Sequence, residues 1–231
     1  MEPQTIRSVL GRNPWFAGLG GDLQDDIVRL GRERRVRDAV IFAVGDEPNG
    51  LFAVLAGEVR SSHSASDGRL GLLMVARAGS WFGETSMFDG RLRYSEALAV
   101  GRVELLCLSP RAFREIIDES AERYGAFVRL LCDHHRLAMD HIASLGALPV
   151  RARVAQRLLF FARSGRTPDR SDNVVTLSQE QLASTVGVSR QTLNGVLRRL
   201  EEADVLSLGY GRITLRNRAE LERLVETAAA V

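Results

Sequence analysis

Residues 177–206 read LSQEQLASTVGVSRQTLNGVLRRLEEADVL. Ser178 followed three places later by Gln181 is a reciprocal helix N-terminus. The serine hydroxyl accepts the Gln181 N–H, and the glutamine side chain accepts the serine's own. The helix places Leu182 and Val186 inward and stops at Gly187, where a left-handed residue turns the chain sharply. Val188 fills the turn, and Ser189 caps a second helix. On that second helix Leu193, Val196, Leu197 and Leu200 share one face, while Arg190, Gln191, Asn194, Gly195 and Arg198 share the other. A face that serves solubility alone usually takes Glu, Lys and Ala. Arg, Gln and Asn instead form paired hydrogen bonds with base edges, Arg with guanine and Gln or Asn with adenine. A helix-turn-helix is expected, its second helix offered N-terminus first to a DNA major groove. Gly195 costs about 1 kcal/mol of helix propensity relative to Ala, and close approach of DNA at that point would account for it.

Downstream, VLSLGYGRITL (205–215) reads as a two-stranded wing around a glycine turn, with Tyr210 and Arg212 placed to touch sugar-phosphate backbone. Upstream, Arg151 to Arg163 reads as a helix with Val154, Leu158 and Phe161 on one face, closed by the loop SGRTPDRSDNVV. Ser178, Ser189, Thr192 and Arg198 are expected to meet phosphates or cap helices, and Arg190, Gln191 and Asn194 to reach bases.

Two further regimes precede this one. Residues 32–108 carry short β-branched and apolar runs broken by glycine turns, the pattern of a small antiparallel barrel or sandwich preceded by short helices around 23–30. After Pro110 comes a short helix over 111–118. Residues 121–146 then form a long one, with Phe127/Val128, Leu131, His134 or His135, Ala138, Ile142 and Leu145 at spacings of three and four. So long an apolar stripe needs a partner, and the same helix of a second subunit is the economical one. The expected seam comprises Phe127, Val128, Leu131, Cys132, His135, Ala138, Met139, Ile142 and Leu145. The fold class expected is α+β, divided into 1–118 (β region with flanking helices), 119–148 (dimerisation helix and hinge) and 149–231 (winged helix-turn-helix).

Composition is that of an ordinary globular chain of 231 residues, 45% hydrophobic and 26% charged. All 31 basic residues are arginine. Residues 149–231 hold 13 of them against nine acidic residues, a local charge of +4, compatible with phosphate contact. No apolar run suits a membrane span and the N-terminus lacks the order of a signal peptide, so a cytoplasmic protein without a membrane partner is expected. Two cysteines without a C-x-x-C pattern exclude a disulfide framework and an unaided metal or iron–sulfur centre, so no metal site is expected. The run GLGG (18–21) lacks the Gly-Lys-Ser/Thr ending of a P-loop, and no catalytic set is suggested by spacing, so no catalytic residues are expected.

The order of these parts resembles the cyclic-AMP receptor protein / fumarate-nitrate regulator (CRP/FNR) family of bacterial transcription factors, over nearly the whole chain. The residues that carry the resemblance are VIFAVGDEPNGLFAVLAGEVR (40–60), GLLMVARAGSWFGETSMF (71–88), VRARVAQRLL (150–159), the helix-turn-helix stretch and GYGRITL (209–215). The resemblance implies a β-roll sensor of the cyclic-nucleotide-binding type. It also implies a homodimer through the central helix and a two-fold symmetric double-stranded operator, with RNA polymerase as a further candidate partner. It matches Arg190 to a guanine-reading arginine. Gln191 stands where cyclic-AMP-responsive members have glutamate, and Gly195 where they have a second base-reading arginine, so the half-site preference is expected to differ.

Within the same resemblance, FGETSMFDGRLRYSEALA (82–99) is the effector pocket. Gly83, Glu84, Thr85, Ser86, Arg93, Tyr94 and Ser95 are its candidate residues, joined by Ala138 and Met139 of the long helix. Glu84 is suited to a ribose hydroxyl and Arg93 to a phosphate. Two departures weigh against cyclic AMP. Arg93 is followed by Tyr94 where cyclic-nucleotide binders have Ser or Thr, which moves the hydroxyl of Ser95 to the other face of the strand. Ala138-Met139 also stand where cyclic-AMP responders place two hydroxyl residues against the adenine. The effector, if one binds, is therefore expected to be another nucleotide or small metabolite. Cys132, His134, His135 and His141 are expected as ordinary residues at or beside the dimer seam.

Overall fold

The computed structural model describes residues 1–64, 70–163 and 173–229. The chain divides into two compact units, Met1–His63 with Met74–Leu137, and Ser64–Leu73 with Ala138–Val231, so that the division falls within the long helix.

In the first unit three short helices, α1 (Pro3–Leu10), α2 (Pro14–Ala17) and α3 (Gly21–Leu30), precede the strands. The strands are β1 (Arg32–Arg37), β2 (Val40–Phe42), β3 (Leu51–Ser64), β4 (Leu70–Arg77), β5 (Trp81–Phe82) and β6 (Glu96–Leu108). They form one sheet in the order β1-β6-β3-β4, with β2 also on β6 and β5 also on β3. The long strand β6 serves two partners in turn, β2 near its start (Leu98 opposite Val40) and β1 near its end (Arg102 to Cys107 opposite Arg37 to Arg32). Register shifts in β3 between Val54 and Glu58 bend the sheet into a roll. The expected β regime is therefore present, with a helix inside it that spacing did not disclose, α4 (Thr85–Asp89).

Two cores result. Between the roll and the helices lie Trp15, Phe16, Trp81, Phe113 and Phe127, with Trp15 edge-on to both Trp81 and Phe127. Inside the roll Phe42, Phe52 and Phe82 pack with Val54, Val59, Ala97, Ala99 and Val103. Helix α5 (Pro110–Ile117) starts at the Ser109 cap and buries Phe113, Ile116 and Ile117.

The long helix α6 (Ala121–Ala147) does two jobs with two faces. Ala126, Phe127 and Leu130 are buried in the first unit's core, and the Ala126 carbonyl accepts the Trp15 indole N–H at 2.6 Å. Phe127, expected on the dimer seam, is fully buried in its own chain's core and takes no part in the exposed stripe. That stripe runs through Val128 and Leu131, both half-buried, and then Cys132, His135, Ala138, Met139, Ile142 and Leu145, all exposed, with Ile142 at 58%. Single apolar residues on a surface are ordinary, but an exposed row at heptad spacing is not.

The second unit contains α7 (Val150–Arg163), β7 (Val174–Val175), α8 (Gln179–Val186), α9 (Arg190–Glu202), β8 (Leu206–Gly209), β9 (Arg212–Leu215) and α10 (Arg218–Ala229). Val174-Val175, read as the end of a loop, is a short strand pairing with β9, so the wing has three strands in the order β7-β9-β8. The rest of that loop, 164–172, lies outside the described residues. Helix α10, to which the sequence reading assigned no element, packs chiefly on α7 and buries Leu221.

Candidate functional site

The helix-turn-helix is built as the spacing implies. Ser178 Oγ accepts the Gln181 N–H at 3.1 Å and Gln181 Oε1 accepts the Ser178 N–H at 3.0 Å, closing the reciprocal cap of α8. Gly187 ends α8 at φ 71°, a conformation that L side chains rarely adopt. Ser189 Oγ accepts the Thr192 N–H at 3.1 Å and lies 2.9 Å from Thr192 Oγ1, fixing the start of α9. Leu193, Leu197 and Leu200 are completely buried, as are Leu182, Val186 and Leu158, α9 packs on α7 and α8, and Val196 is half-buried.

This anchoring leaves Arg190, Gln191, Thr192, Gly195 and Arg198 exposed along the outer face. No side-chain hydrogen bond or ion pair engages Arg190 or Gln191 among the described residues. A Cβ on Gly195 would meet nothing within 4 Å, so no internal packing requires glycine there. Asn194 differs from the expectation. It is half-buried, and its side-chain oxygen lies inside without a partner. Tyr210 stands fully exposed at the wing tip beside exposed Arg212, and Glu201 ties the wing to α9 by accepting the Leu208 N–H at 2.7 Å.

Elsewhere in the second unit, Arg157 is buried against the rings of Phe160 and Phe161. Burial, with the Arg157 charge nearby, pushes the His141 imidazole down to about 4.

Of the expected pocket residues, Glu84, Ser86, Arg93 and Ser95 are buried and Gly83 is half-buried. Arg93 is 3% exposed. It donates to the carbonyls of Gly83 (2.7 Å) and Gly50 (2.6 Å) and to Asn49 Oδ1 (2.9 Å), and its guanidinium lies 4.2 Å from the Phe42 ring centroid. Its Nε–H is buried and unpartnered. Burial pulls the guanidinium below its ordinary range, against the pull of Glu84. The backbone comes so close at Gly83 that a Cβ there would sit 3.1 Å from Arg93 Nη1. Asn49 and Gly50, which accept from Arg93, were not among the residues that the sequence singled out.

Tyr94, the residue after Arg93, is 57% exposed, while Ser95 is buried just before β6 begins. Ser95 Oγ meets Ser61 Oγ at 3.3 Å, and Ser61, buried inside the roll, is a polar pocket residue that the sequence reading missed. Burial and the nearby Glu84 charge raise the Tyr94 hydroxyl above its ordinary value, and Thr85 bonds it. Glu84 is buried and accepts a hydrogen bond at 2.9 Å from Nδ1 of His134 on α6. His134 therefore faces Glu84. Ala138 and Met139 are exposed on α6. Cys132 is exposed as well, and Cys107 is half-buried, its thiol raised by burial. No helix among the described residues is long and apolar enough to cross a membrane.

Residues 33–120 match the family model of the cyclic nucleotide-binding domain, and residues 152–224 that of the Crp-like helix-turn-helix domain. The chain is 32% identical to the CRP-like cAMP-activated global transcriptional regulator of Mycobacterium tuberculosis over 179 residues, 77% of this chain and 78% of that protein. It is 30% identical to the cyclic AMP receptor protein of Thermus thermophilus over 214 residues, 92% and 96% of the two chains. The solved structure of a CRP-family transcriptional regulator from Thermus thermophilus superposes with a TM-score of 0.68 at 29% identity, covering 84% of this chain and 96% of that one. With a β-roll of the cyclic-nucleotide-binding type and a winged helix-turn-helix on one chain, the protein belongs to the CRP/FNR family of DNA-binding transcriptional regulators.

Proposed function

We propose that the protein acts as a homodimer that reads a two-fold symmetric DNA operator, one α9 helix in each major-groove half-site, under control of a small molecule other than cyclic AMP. The observation that carries the DNA reading is the exposed, unengaged Arg190–Gln191 pair at the capped start of α9. Side chains with no internal use, on a helix held by three fully buried leucines, are available to base edges. Thr192, Arg198, Tyr210 and Arg212 are placed to meet the flanking backbone, and the α8 and α9 caps, Ser178 and Ser189, to offer helix N-termini to phosphates. The exposed α6 stripe supports the dimer. Covering Met139, Ile142 and Leu145 against their counterparts removes apolar surface at heptad spacing.

For the effector, two features favour a ligand different from the cyclic AMP named for the relatives. Arg93 already gives three hydrogen bonds to Gly83, Gly50 and Asn49, and the position after it holds a largely exposed tyrosine instead of a small hydroxyl residue. Ser95, Ser61 and Ser86 nevertheless keep the roll interior polar, the character of a binding site rather than of a filled core.

Melting the purified protein with cyclic AMP, cyclic GMP and cyclic di-GMP separately tests the effector assignment. A ligand at about 100 times its Kd stabilises by roughly 2.7 kcal/mol. No shift is expected with cyclic AMP, and a shift of several degrees would overturn the assignment. Sedimentation of the wild type against Ile142→Asp tests the dimer. The variant is expected to sediment as a monomer, and an unchanged mass for the pair would remove α6 as the interface.

A further inference from the structure

The pair of residues that joins the roll to the long helix is titratable on both sides. Glu84 sits at the N-terminal boundary of α4 and is 6% exposed, and its Oε1 receives the Nδ1–H of His134, one turn before the exposed half of α6. An isolated buried carboxylate is costly, and a histidine from the facing helix supplies the donor and, when protonated, the countercharge. We propose that Glu84 and His134 form a proton-operated latch that holds α6 to the effector pocket. Protonated His134 closes it with a bond between two charged groups, and neutral His134 leaves a weaker bond from an uncharged donor to the carboxylate.

The surroundings agree. The charged and titratable groups around the pair are Asp133 on α6, with Arg93 and Tyr94 near Glu84 from the segment leading into β6. Burial lowers the affinity of His134 for a proton, but the bond to Glu84, the Glu84 charge and Asp133 outweigh it, so the imidazole stands above its ordinary 6.5. A group raised on folding contributes its stabilisation in full below 6.5, and loses it as pH rises through the folded midpoint. The latch is therefore closed in mildly acidic solution and loosens as the pH climbs. A ligand hydroxyl that takes Glu84 competes with His134, so its binding releases a proton and tightens as pH rises.

The latch rests on the pocket assignment only for this last consequence, and it can be tested without any effector. The chain has four histidines, so the imidazole resonances of the full-length protein can be followed by NMR across the neutral range and assigned with His134→Gln. The expected result is a His134 midpoint above 6.5 that moves down in Glu84→Gln, while His63, His135 and His141 keep theirs. The wild type is also expected to melt above His134→Gln at about pH 6, with the gap shrinking by about pH 8. Glutamine keeps a donor and removes the titration, so a folded variant is retained. A His134 midpoint at or below 6.5, or one indifferent to Glu84→Gln, would overturn the latch. A melting shift with cyclic AMP would overturn the effector assignment while leaving a raised His134 midpoint intact.

Discussion

Arg93 and Arg190 carry the same side chain in opposite circumstances. Arg93 is buried and gives its hydrogen bonds to two carbonyls and an amide of its own unit, with an aromatic face against its guanidinium. Arg190 stands exposed at the start of a capped helix, with no protein group engaging it among the described residues. The first arginine is part of what holds the roll interior in shape, and a ligand that wants it must compete with the fold. The second is left unengaged by the fold. The contrast separates an interior whose polar groups are largely satisfied from a surface whose polar groups are not.

The contrast can be broken at either arginine. Arg93→Met strands the buried Gly50 carbonyl and leaves the part-buried Gly83 carbonyl and Asn49 Oδ1 without the cation that bonds them. A loss of about 3 kcal/mol is expected, partly offset because a buried charge disappears as well. Denaturant unfolding should show it, and a loss below about 0.5 kcal/mol would place Arg93 with the uncommitted groups. Ser189→Ala removes the α9 cap and is expected to cost about 1 kcal/mol of stability, which melting of the variant checks. Gly195→Ala sharpens the comparison further. With open space around the new methyl, it should stabilise α9 by up to about 1 kcal/mol. If DNA approaches that point closely, operator affinity falls even as the melting temperature rises, and a rise in both would exclude close approach. The smallest effect is expected at the second arginine. Arg190→Ala should leave stability within about 0.5 kcal/mol, as an exposed substitution does, and a larger loss on unfolding would show that the fold uses it.

What the sequence disclosed follows from where information is local. The caps of α8 and α9, the turn at Gly187 and the leucine face of α9 are each fixed by residues within one or two turns of one another, and spacing alone located them. The long helix was legible, but its division of labour was not. Phe127 and Val128 are adjacent, and only the roll's aromatic cluster decides that the first is core and the second borders the exposed stripe. The pocket was legible as a segment and opaque as a site. Arg93 reaches Asn49 and Gly50 across more than 40 residues, and Glu84 reaches His134 across 50. Such pairings are set by tertiary closure of the roll, and single-sequence periodicity has no access to them. Asn194 shows the same limit on a smaller scale, since its place on the wheel pointed outward while its oxygen is buried.

The central claim is that α9 reads bases through Arg190, and it is tested most directly by selecting operators from a random duplex library with wild type and Arg190→Ala in parallel. The wild type should enrich a two-fold symmetric site. Arg190→Ala should bind that site about 1–3 kcal/mol more weakly and lose preference at one base pair in each half, with the other positions unchanged. A loss of affinity spread evenly over all sequences would make Arg190 a phosphate contact and contradict the account.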